Sequence, residues 1–403
     1  MFQLYWGIYG FTMEAGIITI LVRFKNIGSI SCLRLKCRHL CSLEQEMMLV
    51  QPENQKRLIA LAMILVIASW LLASSGTNAN IEADSKVFTA DSFAMGTVIS
   101  QKVYGEDGQA AVDEAIAKIS YLDGLLTFND SQGDIYRLNK NAGNGLVKLD
   151  PETIRIIEKA QQVAALSGGT FDITVGPLVK AWGIGTDGER IPSSQELHAL
   201  LPLIDYQKVA IDDNSVSIKR GQMVDLGGIG KGYAGDAVIE VYKRHGIASA
   251  YVNLGGNVVT LGSKPDGSPW RVGIRDPRPP IDGLAHDLGI VAVVDKAVVT
   301  AGDDQRYFLA GGQRYHHILD PATGYPARSD LMSVTLVTDS SLDADALDTA
   351  VYILGLDKGR ELLRQYGGVE AIFVTTDKKV YVTDGLKANF EFLGAGNGYV
   401  YQP

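Results

Sequence analysis

Cysteine is missing from almost the whole chain. The only three, Cys32, Cys37 and Cys41, fall within the first 41 of 403 residues. Everything downstream must fold without disulfides and bind any metal without thiolates. The Cys-x4-Cys-x3-Cys run beside His39 resembles a metal knuckle, but it sits in a poorly patterned stretch and reads better as sequence outside the mature protein. Histidine is also scarce: the six present include no His-Glu-x-x-His spacing, which removes the common helical zinc motif. Positive charge is in deficit. At a net charge of -9 the chain lacks the Lys and Arg surplus that nucleic-acid binding needs. A single anionic ligand held by local groups stays open. No internal repeat or low-complexity tract occurs.

What remains is an ordinary globular composition, with 46% hydrophobic and 21% charged residues, enough for one large domain or two smaller ones. The 44 glycines gather in short runs, where backbone must approach a ligand closely or take positive φ. A second plausible start lies at Met47-Met48. It is followed by Lys56-Arg57, an apolar run from Leu58 to Ala73, and Ser74-Ser75-Gly76-Thr77. That order of basic, apolar and small residues reads as an export signal, cleaved or kept as an anchor. No cysteine follows it, which excludes a lipid anchor. Residues 1–46 are expected to be a non-native or disordered extension, 47–85 a signal or anchor with linker, and 86–403 the working domain.

The patterning within 86–403 predicts an α+β fold, with long helices set between antiparallel pairs. Val87–Tyr104 reads as strand. Gly108–Leu126 reads as a helix with Val112, Ala115, Ile116, Ile119 and Leu122 on one face. Asp150-Pro151 starts another helix that Gly168-Gly169 ends. Gly232–His245 should be helical and Ala248–Leu254 a buried strand. Ile290–Thr300 should be paired strands about Asp295-Lys296, and Ala371–Thr375 with Val380–Thr383 a hairpin. Asp276–Pro280 is a surface loop.

Three constellations carry chemistry. Val224-Asp225-Leu226-Gly227-Gly228-Ile229-Gly230-Lys231-Gly232 reads as a short strand entering a helix. Its glycines would free N–H groups for an anion, and Lys231 would add a point charge. It is not a Walker A loop, whose required Gly and Ser/Thr are here Asp225 and Gly232; a solvated turn is the plain alternative. In Asp343-Ala344-Asp345-Ala346-Leu347-Asp348-Thr349, the i, i+3, i+4 spacing puts Asp345, Asp348 and Thr349 on one helical face. Leu347, Ala350, Val351 and Leu354 lie on another. Two carboxylates and a hydroxyl suit the hard-oxygen shell of Mg²⁺; acids favouring a first helical turn would give the same pattern. In Tyr315-His316-His317-Ile318-Leu319-Asp320-Pro321, adjacent histidines on a strand face opposite ways. They cannot share a metal, but one could serve as a general base or be structural. Phe128 could stack on a planar ring or fill core. Asn253-Leu254-Gly255-Gly256-Asn257 is a tight glycine corner or bulge.

In their order these segments resemble the ApbE family of FAD:protein FMN transferases. Met95-Gly96-Thr97, Thr127-Phe128-Asn129, Phe171-Asp172-Ile173-Thr174-Val175-Gly176-Pro177, Thr300-Ala301-Gly302 and His317-Ile318-Leu319-Asp320-Pro321 join the glycine turn, the Asn253 corner and the acidic helix. The resemblance spans about Phe93 to Phe390 and implies an ApbE-like (T-fold-like) domain of mixed antiparallel sheets with packed helices. It implies that Met95 and Phe128 lie against the flavin nucleotide and that Thr170, Phe171 and Asp172 line its pocket. Asp225 and Lys231 would contact FAD, and Leu319 would touch the nucleotide through its backbone. The Gly228 carbonyl, Asp345, Asp348 and Thr349 would hold Mg²⁺, and His317 would be the catalytic base. FMN would pass to a Ser or Thr hydroxyl of acceptor subunits of membrane redox complexes, with AMP leaving, in an exported, periplasmic enzyme. FAD hydrolysis to FMN and AMP, or non-catalytic flavin binding, are the competing readings. No Ser/Thr-Gly-Ala-Ser/Thr acceptor-like segment occurs in the chain itself.

Overall fold

A computed structural model divides the chain into two units, residues 1–81 and 82–403. The residues it describes are 6–14, 17–24 and 30–36 in the first, and 86–128, 130–278 and 286–402 in the second. The first unit holds an antiparallel sheet of β1 (Trp6–Glu14), β2 (Ile17–Phe24) and β3 (Ile30–Lys36). The signal or anchor segment expected at 47–85 lies outside the described residues, as do Asn129, Pro279 and Pro280; Asp276 and Pro277, expected on a surface loop, are buried. Among the described residues no helix is long and apolar enough to cross a membrane.

The second unit opens with β4 (Val87–Ala94), β5 (Thr97–Tyr104), β6 (Val147–Lys148), β7 (Ala210–Asp212) and β8 (Ser215–Ser217). Then follow β9 (Ser249–Leu254), β10 (Asn257–Leu261), β11 (Trp270–Arg275), β12 (Asp287–Val293) and β13 (Ala297–Gly302). The remaining strands are β14 (Tyr307–Ala310), β15 (Gln313–His316), β16 (Leu331–Thr338), β17 (Glu370–Thr375), β18 (Lys379–Val382), β19 (Phe390–Phe392) and β20 (Val400–Gln402). Its helices are α1 (Gly108–Leu126), α2 (Asp134–Lys140), α3 (Pro151–Leu166), α4 (Gly176–Trp182), α5 (Ser194–Leu200), α6 (Gly230–Arg244) and α7 (Ser341–Tyr366).

A nine-stranded sheet in the order β20-β18-β17-β16-β13-β10-β9-β5-β4 forms the middle layer. Its pairs are antiparallel except β18 with β20. Alternate residues of its strands feed different cores, as a period of two requires. Ala371 and Phe373 of β17 join the core under α1, α6 and α7. Ile372 and Val374 join the core beneath the small sheet β11-β12-β19. With both faces covered, β16 is buried at every position, its Ser333, Thr335 and Thr338 included.

The expected α+β architecture therefore stands, and α1 has the bounds the periodicity gave. Asp150 caps α3 through the N–H of Glu152, and Gly168 and Gly169 leave that helix at positive φ. The β17–β18 hairpin is also as expected.

Three expectations fail locally, and a fourth is settled between its two readings. Val87–Tyr104 is a hairpin, because Met95 and Gly96 both take positive φ (52° and 70°), the geometry of a two-residue turn that matches strand twist. Ile290–Thr300 is not a pair: β12 and β13 belong to different sheets. Their link is docked instead on β10, where Asp295 accepts from the Gly262 N–H and Lys296 bonds Thr260 in both directions. The Asn253–Asn257 corner is a hairpin turn rather than a bulge, with Gly255 and Gly256 at φ 62° and 110°. The expected strand before the long glycine turn is absent among the described residues: the Asn139 side chain bonds the N–H and C=O of Val224, at 2.7 and 2.8 Å, as a neighbouring strand would.

Candidate active site

The site forms where α6 begins, because its first turn abuts the first turns of α7. The α7 N-terminus is capped by Ser340 and also by Asp236 of α6. Asp236 accepts from the Ser340 hydroxyl and from the N–H groups of Ser341 and Leu342. With the two helices held this way, the Asp345 carboxylate reaches back to α6. It accepts from the Gly232 N–H at 2.8 Å and from Asn257 Nδ2 at 2.7 Å, with Lys231 Nζ 3.5 Å away. Only a glycine fits at 232, since a Cβ there would lie 2.4 Å from the Ser341 carbonyl oxygen.

Asp348 lies one turn further along and is 3% exposed. Among the described residues its carboxylate is met by Thr349, whose hydroxyl donates at 3.2 Å. Burial, and then the neighbouring Asp345 charge, push its pKa well up, while Lys231 and Thr349 pull the other way. A carboxylate buried beside another with so little compensation is a strong local deficit of positive charge. Thr349 also borders the glycine turn: a Cβ on Gly228 would be 3.6 Å from its Oγ1 and 3.5 Å from Phe171. Asp345, Asp348, Thr349 and Gly228 thus share one corner and offer only oxygen. Among the described residues no group of three or more His, Cys, Asp or Glu side chains gathers as a metal site; this corner has two carboxylates.

The glycine turn itself is less open than its sequence implies. The N–H groups of Gly227, Ile229, Gly230 and Gly232 are all taken inside the protein, by Asp225 Oδ1, by the Leu226 carbonyl twice, and by Asp345. Asp225 is held by its own N–H to the Ile173 carbonyl. Burial raises its pKa, against the Gly227 N–H and the charge of Arg306. Asp172 is spent structurally as well. It accepts from the Thr174 N–H and hydroxyl and from the Tyr206 N–H, shaping the loop that carries Phe171. Thr170 bonds the Ser167 carbonyl, fixing the same loop.

On the other side of the turn, a Cβ on Gly230 would lie 3.6 Å from Met95 Cε and 3.2 Å from Leu126. The β4–β5 hairpin tip and the end of α1 therefore border it, with Phe128 exposed just beyond α1. His317 follows β15 and its N–H and Nδ1 both meet the Arg306 carbonyl. Burial, then the charges of Arg306, His316 and Lys231, push its pKa down to about 3, so the ring is neutral at ordinary pH. His316 faces inward against Tyr352, with Nε2 on the Ala327 carbonyl. The Leu319 side chain packs with Leu178, Trp182 and Leu197. Its bridge to Pro326 is bonded through the flanking residues, leaving its own peptide groups outside that bridge.

Arg306, Asn257 and Asp236 were not singled out by sequence. Asn257 ended a glycine corner already noted, but neither Arg306 nor Asp236 sits in a pattern that separates it from surface charge.

Residues 95–373 match the model of the ApbE family. An FAD:protein FMN transferase of Klebsiella pneumoniae is 33% identical over 78% of this chain and 97% of its own length. One of Treponema pallidum is 33% identical over 82% and 95%. Among solved structures, the ApbE protein of Thermotoga maritima superposes with a TM-score of 0.70 at 32% identity, covering 75% of this chain and 99% of its own. The flavin transferase ApbE of Vibrio cholerae gives 0.68 at 26%, covering 77% and 100%.

Proposed function

This chain belongs to the ApbE family, and on that premise we propose that it moves FMN from FAD onto a Ser or Thr hydroxyl of an acceptor protein, releasing AMP, with Mg²⁺ as its metal. It is a flavin transferase by kinship; the metal, the acceptor group and the leaving group are the reading offered here. The observation that carries it is the buried Asp345–Asp348 pair meeting Thr349 and Gly228 with Lys231 as its near cation. Such a pair asks for a divalent ion, and its hard oxygens suit Mg²⁺.

Asp345, Asp348, Thr349 and the Gly228 carbonyl would hold the ion. Bound there, Mg²⁺ would supply a Lewis acid and a template for a diphosphate. Lys231, already within 3.5 Å of Asp345, is placed to neutralise phosphoryl oxygen. Met95 and Phe171 supply apolar surface around the same turn, with Phe128 exposed just beyond α1. His317 is neutral and held at Nδ1, so its other nitrogen can take the proton of the attacking hydroxyl. As the acceptor oxygen bonds to the FMN-side phosphorus, the bond from that phosphorus to the AMP oxygen breaks. A basicity this low suits a loose phosphoryl transition state, which needs little base help. An anionic diphosphate would offset Arg306 and Lys231 and raise that basicity on binding.

Export through the 47–85 segment, and acceptors among membrane redox subunits outside the cytoplasm, complete the proposal. The test is to incubate the purified protein with FAD, Mg²⁺ and a candidate acceptor, then weigh the acceptor. A mass gain of one FMN that EDTA abolishes is expected. FMN released free, with the acceptor unchanged, would instead make the protein a hydrolase.

A further inference from the structure

Arg306 stands out among the arginines of this part of the fold. Arg278 and Arg314 are both committed to Asp303. Arg306 is exposed, and the bond its guanidinium makes among the described residues is a long one, 3.5 Å from Nη2 to the Gly96 carbonyl. It is nevertheless central. Its charge acts on both Asp225 and His317, and its main-chain carbonyl orients the His317 ring. Gly96 is the second residue of the strained turn that presents Met95. The guanidinium therefore lies at the hairpin tip, on the residue whose carbonyl holds the candidate base, with most of its donors unspent among the described residues.

We propose that Arg306 is a phosphate-binding residue, whose guanidinium leaves the Gly96 carbonyl to take the oxygens of the flavin-side phosphate. This rests on the flavin-transfer reading. The planar fork of an arginine matches two phosphoryl oxygens at once, which a lysine does not. The turn needs such a donor, because four of its N–H groups are already used within the protein. Lys231 leans toward Asp345 on the metal side, so Arg306 supplies positive charge from the side of His317. A phosphate held between the two would present its phosphorus to a hydroxyl beside His317.

The experiment compares FMN with riboflavin, which differ by that phosphate alone, binding to the intact protein without added metal. Wild type should prefer FMN. Arg306→Gln should cut that preference roughly ten- to hundredfold, the worth of a charged hydrogen bond, while riboflavin affinity stays within about twofold. Arg306→Lys should restore part of it. If Arg306 only props the Met95 turn, both flavins weaken together and the preference survives, which overturns the proposal. A wild type that binds FMN no better than riboflavin also overturns it. A wild type that binds neither flavin sinks the transfer reading and this residue's role together, an outcome distinct from a variant that keeps the wild-type preference.

Discussion

The N–H of Gly232 donates to Asp345 Oδ2 across 2.8 Å of space and 113 residues of chain. One bond thus ties the glycine turn to the acidic helix, and it exists only because position 232 has no side chain. A Cβ there would also sit 2.6 Å from that of Asp345. Gly232→Ala must push α6 from α7, and overpacking of this kind costs about 1–3 kcal/mol. We expect a lower urea midpoint with unchanged slope, together with a weaker Mg²⁺ requirement curve for transfer. A variant as stable and as active as wild type would mean the two helices do not meet so closely.

Asp348 separates function from stability. Its pKa is raised in the folded protein, so the native state holds a proton that the unfolded chain releases between the ordinary carboxylate value of 3.8 and the folded value. Stability of the metal-free protein is then greatest below that window and falls as pH climbs through it. Asp348→Asn should flatten this dependence and raise the metal-free melting temperature at pH 7. The same change should cut FMN transfer by ~100-fold or more, as losing a major electrostatic contact does. Asp345→Ala should be as damaging to transfer without the gain in stability, because it strands the Gly232 and Asn257 donors. Calorimetry with and without Mg²⁺, beside acceptor mass, reads both effects.

His317 should leave no mark near neutrality in the free enzyme. With its pKa pushed to about 3, the ring is already deprotonated across the working range, so kcat/KM for FAD should show no basic group titrating between about pH 5 and 8. His317→Ala should still lower kcat by roughly a hundredfold. A limb near the usual histidine value that vanishes in the variant would show that the ring is better solvated, and less opposed by Arg306 and Lys231, than the fold implies.

The parts of this fold legible in sequence were those set by local rules. Apolar spacing gave α1, the Asp150-Pro151 cap gave α3, and i, i+3, i+4 spacing put Asp345, Asp348 and Thr349 together. What escaped depends on distant partners. Val224 looks like a strand residue, yet its peptide groups are paired by a side chain 85 positions away. Asp295-Lys296 looks like a hairpin turn but is captured by β10. Met95 at positive φ breaks the preference for glycine there, so no turn signal preceded Gly96. Asp172 illustrates the limit for the site: its segment marks a pocket wall, yet its oxygens face Thr174 and Tyr206.

Asp236 tests whether the helix junction, rather than any contact with ligand, sets the metal corner. Its carboxylate receives donors from the Ser340 cap and from the first two residues of α7, so it caps a helix other than its own. Asp236→Ala leaves the Ser341 and Leu342 N–H groups without that acceptor, and loss of a helix cap costs about 0.5–2 kcal/mol. The damage should not stop there. If α7 frays at its start, Asp345 loses its register against Gly232, and the Mg²⁺ concentration giving half-maximal transfer should rise while the FAD dependence stays near wild type. Ser340→Ala removes one cap donor and acceptor but leaves the Asp236 bonds to the backbone, so it should show the smaller effect on both. Equal Mg²⁺ dependence in all three proteins would mean that the corner keeps its shape without the cap, and that Asp236 serves stability alone.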